Sequence, residues 1–409
     1  MDRRQPRYYS LLNERLFPHV YSRQGNFTSS KIRWRLKIAR QNVSMWRLLV
    51  SLGIFASLLA LLYLFFPWTA LPSYKDRKLK FRLVTDVTVP SQSFNGTYLL
   101  ILISSAPSHF QQREAIRATW ANGVSLRAQR QLFSGLSQWK IVFMLGKTTN
   151  ASINARVEQE AAEFADILLG DFQDSYENLV IKTVMGLSWA SRVNCTHVLK
   201  ADDDVYVHIP RLITWLRQPS LPKSLYAGNA HIGSRVVRQT TSKFFVDLES
   251  YPEPYYPPYC AGPFYVLSRN ILPGLMNLTS YIKPILMEDA YIGMLIQSLG
   301  VAVVDNSKNF VHSYRENQAL GIDECKLTSI ICLGHGFSPS GLYVIHSRLL
   351  AIESFSQDKK DLICVRDKLI FITEILCLIS VVVVVLYFSM HRLMASIRGL
   401  FGLALGTVG

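Results

Sequence analysis

No Cys-x-x-Cys pair occurs in the 409 residues, so the paired-thiolate framework of a structural zinc site is missing. There is no internal repeat and no low-complexity tract, which excludes repeat architectures and a wholly disordered chain. Charge is absent from Leu48 to Tyr74. Acid is scarce at the start: residues 1–47 hold eleven Lys or Arg against only Asp2 and Glu14, so +9 of the formal net charge of +15 sits there. The remainder is only mildly basic, and nucleic acid is not implied as a partner.

What is present is a chain 49% hydrophobic, ample for one large domain or two ordinary ones. Leu48 to Trp68 is nearly all apolar and matches the roughly 20 residues that cross a bilayer, with Tyr63 and Trp68 toward one end. The long polar arm ahead of it, and the lack of a small-x-small cleavage site, favour a signal anchor over a cleaved signal peptide. The positive-inside rule then places 1–47 in the cytosol and the rest in the lumen, a type II arrangement. The sequons at Asn95, Asn150, Asn194 and Asn277 fall on the lumenal side, although Asn26 and Asn42 do not. A second apolar run, Leu369 to Phe388, contains Glu374 as its only charge and the block Val381 to Val385, and is followed by His391 and Arg392. It reads as a second span or as a helix or strand packed on the main domain. The expected organisation is a tail (1–47), a transmembrane anchor (48–68), a stem (69–97), a lumenal domain (98–360), the possible span 369–388 and a tail (389–409). Among the lumenal cysteines 195, 260, 325, 332 and 364, an oxidising compartment favours disulfides with one thiol left over, and the pairing stays open.

The lumenal domain opens with Tyr98 to Ser104, an unbroken apolar run of the kind buried on both faces of a parallel sheet. A helix follows from Gln111 to Trp120, where Arg113 and Arg117 are four apart and share a face, suited to gripping a diphosphate or to salt bridging. Next come a strand over Lys140 to Leu145, a helix over Ile153 to Ala165, the short run Asp166 to Leu169, and a helix over Tyr176 to Ser191 that carries Lys182. Gly146-Lys147-Thr148 resembles the end of a phosphate-binding loop, but Ile141 stands where that motif needs glycine. Strands alternating with helices predict an α/β fold around a mainly parallel sheet.

In such sheets ligands bind outside the carboxyl ends of the strands, and there stand Asp202, Asp203 and Asp204, between Val198-Leu199 and Val205-Tyr206-Val207. Three adjacent carboxylates need a counter-charge, and oxygen ligands suit hard divalent cations. An extended backbone would put Asp202 and Asp204 on one side and Asp203 on the other. An EF-hand loop fails, because Val207 and Ile213 occupy its required Gly and Glu positions. Beyond it, Tyr251 to Tyr259 holds four prolines and four tyrosines and predicts an ordered loop. Cys260-Ala261-Gly262 then leads into a strand over Phe264 to Leu267, where Gly262 permits close approach of a ligand. Glu288 and Asp289 open an apolar helix; one acid serves as a cap, and the second is available as a general base. His335 sits in a glycine-flanked loop.

Taken in order, the blocks Arg113–Trp120, Phe143–Gly146, Asp171–Thr183, Lys200–Val207, Tyr256–Ser268 and Glu288–Gly293 resemble the β-1,3-glycosyltransferase family, across residues 98 to about 350. The resemblance implies a GT-A fold and an inverting hexosyl transfer from a UDP-sugar to the 3-hydroxyl of an acceptor glycan on glycoprotein or glycolipid, in the Golgi, with Mn²⁺ at the diphosphate. It implies Asp204 and His335 as metal ligands, with Asp202 and Asp203 at the metal's water shell or the donor. Arg113, Arg117 and Lys182 would surround UDP, and Asp289, with Glu288 beside it, would supply the base. Galactose is the expected donor sugar, N-acetylglucosamine the alternative; an inactive lectin or chaperone on the same fold is the alternative of another class. Pro263-Phe264 stands where a small pair is expected, and the second apolar run, not a family feature, leaves room for a homo-oligomer.

Overall fold

The computed structural model describes residues 51–58, 73, 84, 86–122 and 139–405. The basic arm 1–47 and most of the expected anchor and stem lie outside the described residues; 51–58 are helical and exposed. Residues 1–71 and 72–409 form two separate compact units, and the second carries the sheets and the site.

The centre of that unit is an eight-stranded sheet in the order β1-β4-β3-β2-β5-β8-β7-β9. The strands are β1 (Val87–Thr88), β2 (Thr97–Ser104), β3 (Trp139–Lys147), β4 (Ile167–Gln173), β5 (Cys195–Asp202), β7 (Tyr226–His231), β8 (Tyr259–Ser268) and β9 (Val303–Asp305). A small second sheet joins β6 (Tyr206–Val207) to β10 (Phe310–Val311) and β11 (Cys332–Leu333). The block β4-β3-β2-β5 is wholly parallel, whereas β8 runs antiparallel to both β5 and β7. The expected parallel α/β sheet is therefore present, and its second half is mixed.

The α-helices of this unit, among the described residues, are α1 (Phe110–Ala118), α2 (Ala151–Phe164), α3 (Leu179–Ala190), α4 (Ile209–Leu216), α5 (Leu272–Leu278), α6 (Glu288–Ser298), α7 (Glu316–Leu320), α8 (Glu324–Leu327), α9 (Pro339–Glu353) and α10 (Gln357–Leu405). Strand β2 shows why the sheet is central. Leu99, Ile101 and Ile103 face one core, Leu100 and Leu102 face the other, and none retains exposed surface. Burial on both faces is what an unbroken apolar run requires. Gly293 lets α6 lie directly on β8: a Cβ there would fall 2.5 Å from Tyr259 Cβ. The tyrosine-rich loop is ordered, as expected, because Arg238 donates to the carbonyls of Val246, Asp247, Tyr251 and Glu253.

Among the described residues one disulfide forms, Cys325–Cys364, while Cys195, Cys260 and Cys332 are buried free thiols. The expectation of two bridges is corrected here. Cys195 begins β5 and Cys260 lies near the start of the antiparallel β8, so the two sit at opposite ends of their strand pair.

Candidate active site

In the parallel block the chain steps outward from β2 through β3 to β4, then returns to place β5 on the other side of β2. That reversal opens a crevice at the carboxyl ends of β2 and β5, the place where open α/β sheets take ligands. Ser104 and Asp202 are register partners there.

Strand β5 ends at Asp202 and a turn follows, so the extended alternation predicted for the three aspartates is not maintained and each side chain finds a different partner. Asp202 Oδ1 accepts from Lys200 Nζ at 2.6 Å. Buried Asp203 accepts on Oδ2 from the Ser105 hydroxyl at 2.6 Å and from His109 Nδ1 at 2.8 Å, and that hydrogen bond raises the His109 pKa. Asp204 Oδ2 accepts the Gly336 amide at 2.9 Å, and its backbone carbonyl takes the Phe337 amide. Its Oδ1 is buried with no hydrogen-bond partner. Burial first, then the charges of Asp202 and Asp203, push the Asp204 carboxyl up to about 6.

A buried, unpartnered carboxylate oxygen beside two further acids is an environment that a cation relieves, so Asp204 fits the divalent metal that the sequence suggests. Asp202 is turned to Lys200, and among the described residues no three His, Cys, Asp or Glu side chains converge as a metal site. His335 is exposed, with its amide on the Tyr314 carbonyl and its neighbour Gly336 capping Asp204. The fold thus brings the His335 loop to Asp204 as a backbone contact.

Lys200 joins this end of the site to the other. Only 1% exposed, its ammonium donates to Asp202 and to the Gly262 carbonyl at 2.7 Å, and lies 3.8 Å from Glu288 Oε2. Burial works against its charge, but Asp202 and then Glu288 hold its pKa above the usual lysine range. Gly262 continues the chain of contacts, donating its amide to Asp289 Oδ2 at 3.1 Å. Asp289 Oδ1 accepts the Ala290 amide at 2.8 Å. Burial raises the Asp289 pKa, opposed by the Ala290 and Gly262 amides and by Lys200.

Neither acid caps α6: the N-cap is Met287, with no side-chain cap bond. Glu288 is buried, accepts from the Tyr265 hydroxyl at 2.6 Å, and is pushed up to about 7, chiefly by burial. It lies beneath the site, bonded to Tyr265 and close to Lys200. Asp289 alone of the pair is partly exposed.

The cations expected around a diphosphate are engaged elsewhere. Arg113 is fully buried and donates to Glu160, Ser105 and the carbonyls of Ala106 and Pro107. Arg117 pairs with Glu160 and Asp166. Buried Lys182 donates to the Ser105 carbonyl at 2.7 Å and to Asp174 at 2.8 Å. Arg113 and Lys182 brace the end of β2 through Ser105, whereas Arg117 is paired near the start of β4. Sequence reasoning missed Ser105, His109, Asp174 and Tyr265, which carry no local signal. Lys200 was within reach of it, since a residue two before Asp202 on a strand shares its side.

Comparison with known proteins agrees with the order of these blocks. Residues 111–307 match the Galactosyltransferase family. The chain is 32% identical over 254 residues to Beta-1,3-galactosyltransferase 1 of Mus musculus and of Homo sapiens, covering 61% of this chain and 73% of the relative. It is 30% identical over 252 residues to UDP-GalNAc:beta-1,3-N-acetylgalactosaminyltransferase 1 of Homo sapiens, covering 60% and 72%. Among solved structures, the galactosyltransferase LgtC in complex with donor and acceptor sugar analogs overlaps at 11% identity and a TM-score of 0.31, over 63% of this chain and 98% of LgtC. That overlap is too slight to carry an argument about the site. The sequence matches do carry one, and with the acid cluster, Gly262 and Asp289 at the sheet's crevice, the chain belongs to the galactosyltransferase family.

Proposed function

We propose that this protein transfers galactose from UDP-galactose to the 3-hydroxyl of an acceptor glycan with inversion, from a Golgi membrane to which its N-terminal apolar segment anchors it. The observation that carries the reading is the position of Asp289: a partly exposed carboxylate held by two amides and linked through Gly262 and Lys200 to the acid cluster. The chain is a UDP-sugar-dependent glycosyltransferase by family. Its relatives' names support β-1,3 linkage and divide between galactose and N-acetylgalactosamine.

Asp289 removes the proton from the acceptor hydroxyl as that oxygen attacks the anomeric carbon from the face opposite the nucleotide. The Gly262 and Ala290 amides orient the carboxylate, and burial raises its basicity. One base and one leaving group complete a single displacement, so no nucleophilic side chain is required. Asp204, with His335 from the adjoining loop, would hold a divalent cation, which would supply charge neutralisation at the departing diphosphate. Lys200 keeps Asp202, Gly262 and Glu288 in place under both ends of the reaction.

The test is transfer by the detergent-solubilised full chain with Mn²⁺, offered UDP-galactose, UDP-N-acetylgalactosamine and UDP-N-acetylglucosamine separately against a panel of acceptor glycosides. Preferential use of UDP-galactose supports the assignment. Preference for another donor reassigns the sugar, and failure with all three donors despite metal-dependent UDP binding favours a lectin or chaperone.

A further inference from the structure

Helix α10 is far longer than anything the catalytic unit can cover. Its stretch Ile372–Met390 runs 19 residues at a mean hydropathy of 2.5, and none of it is buried. Val381 to Val385 are consecutive, so together they sweep more than a full turn at 3.6 residues each, and all five are exposed. A helix packed on a protein partner would bury one stripe and show a polar opposite face; this one is apolar all round, the pattern of a helix immersed in lipid. At about 1.5 Å per residue the stretch is about 28 Å long, close to the roughly 30 Å hydrocarbon core of a bilayer.

The base of the same helix is joined to the catalytic unit. Cys364 is bridged to Cys325 of α8, Arg366 pairs with Glu324 at 3.2 Å, and Ile363 is buried. Glu374, the one charge in the apolar run, lines a cleft of about 690 Å³ with Tyr314, Gln318, Lys326 and Ile370, and so has polar company at the helix base. From the bridge the contacts lead inward. Lys326, next to Cys325, donates to the Tyr314 hydroxyl at 2.6 Å; the Tyr314 carbonyl accepts the His335 amide; Gly336 donates to Asp204.

We propose that Ile372–Met390 crosses the lipid bilayer, and that the Cys325–Cys364 bridge makes this second span a fixed extension of the catalytic unit, seating the Tyr314 and His335 side of the site against the membrane. A second copy of the chain could cover one stripe of such a helix but would leave the rest in water, which is why the bilayer is the occupant. The bridge also requires an oxidising compartment on the catalytic side of the span.

The experiment uses the full chain in sealed microsomes, with one epitope after Gly409 and another at the N-terminus, and reads protection from external protease, a measurement that needs no sugar transfer. The expected result is loss of both epitopes while the catalytic unit is protected. Protection of the C-terminal epitope alone would overturn the crossing. The double substitution Val383→Arg, Val384→Arg should convert the C-terminal epitope from cleaved to protected; continued cleavage would show that the stretch is not held by its apolar character. For the staple, a second protease site inserted at Ser356 is cut after solubilisation. The α10 fragment should stay with the catalytic unit until reductant is added, and should separate without reductant in Cys325→Ser; separation in the unreduced wild-type sequence would overturn the staple.

Discussion

The ammonium of Lys200 donates to the Gly262 carbonyl at 2.7 Å while the Gly262 amide donates to Asp289 at 3.1 Å, so one glycine links a buried cation to the Asp289 carboxylate. The same ammonium holds Asp202. The acid cluster on β5 and the acids of α6 are thus tied by one buried side chain, although 86 residues separate Asp203 from Asp289 in the chain.

Asp289→Asn keeps the shape and one of the two amide contacts, since its NH2 group can only donate, and it cannot take a proton. The expected outcome is a fall in kcat of roughly 10²- to 10⁴-fold, the usual range for a general base, with UDP affinity unchanged. Steady-state kinetics beside calorimetric UDP titration will decide; wild-type turnover would remove Asp289 as the base.

Lys200→Met should leave Asp202 and Glu288 without their counter-ion. Breaking a buried pair on one side costs about 3–5 kcal/mol, and Glu288→Gln added to it should recover part of that by removing the stranded acid. Denaturant unfolding of the single and double variants tests this; an additive or larger loss in the double variant would speak against the coupling.

Asp204→Asn removes the charge of the unpartnered oxygen, and His335→Ala removes the imidazole from the loop whose Gly336 amide caps Asp204. Both should abolish or sharply weaken stimulation by Mn²⁺, with Asp204→Asn the more severe because it holds the buried donor atom. An unaltered Mn²⁺ titration in either variant would exclude that residue from the metal.

His197 packs on Tyr98, and burial lowers its pKa to about 4. A folded-state value below the unfolded 6.5 means the unfolded chain binds the proton more readily. The stability is full above about pH 6.5 and declines as pH falls toward about 4, by at most on the order of 3 kcal/mol. His197→Phe should flatten the unfolding profile across that window, and a profile parallel to wild type would assign the pH dependence to other groups.

Gly293→Ala should destabilise the α6–β8 contact by about 1–3 kcal/mol, since the new methyl would meet Tyr259 Cβ at 2.5 Å and the Pro258 carbonyl at 3.1 Å. A melting temperature equal to wild type would mean that the helix can slide outward at no cost.

Much of the core scaffold was legible because single segments declare it. Tyr98–Ser104 is an unbroken apolar run typical of a strand buried on both faces, and β2 spans Thr97–Ser104. The positions of Asp202 and Asp289 at a strand end and a helix start followed equally from local pattern. Arg113 and Arg117 show where that reasoning fails. Their spacing put them on one face, but their orientation depends on Glu160, more than forty residues away, which takes both guanidiniums. Glu288 and Asp289 are adjacent and chemically similar, and only Tyr265 and Lys200 across the sheet decide that one is buried and the other open.

The sequence by itself determined the α/β class, the order of the family's blocks, the apolar stretches and the residue types of the site, because each is set by local periodicity, composition or chemistry. Only the tertiary structure decided how the three aspartates diverge, which cations are used up in bracing, that Cys325 finds Cys364, and that Ile372–Met390 of α10 runs on with none of it buried. Those outcomes depend on which distant groups meet when the sheet closes, and charge pairing and burial are properties of that meeting rather than of any one segment.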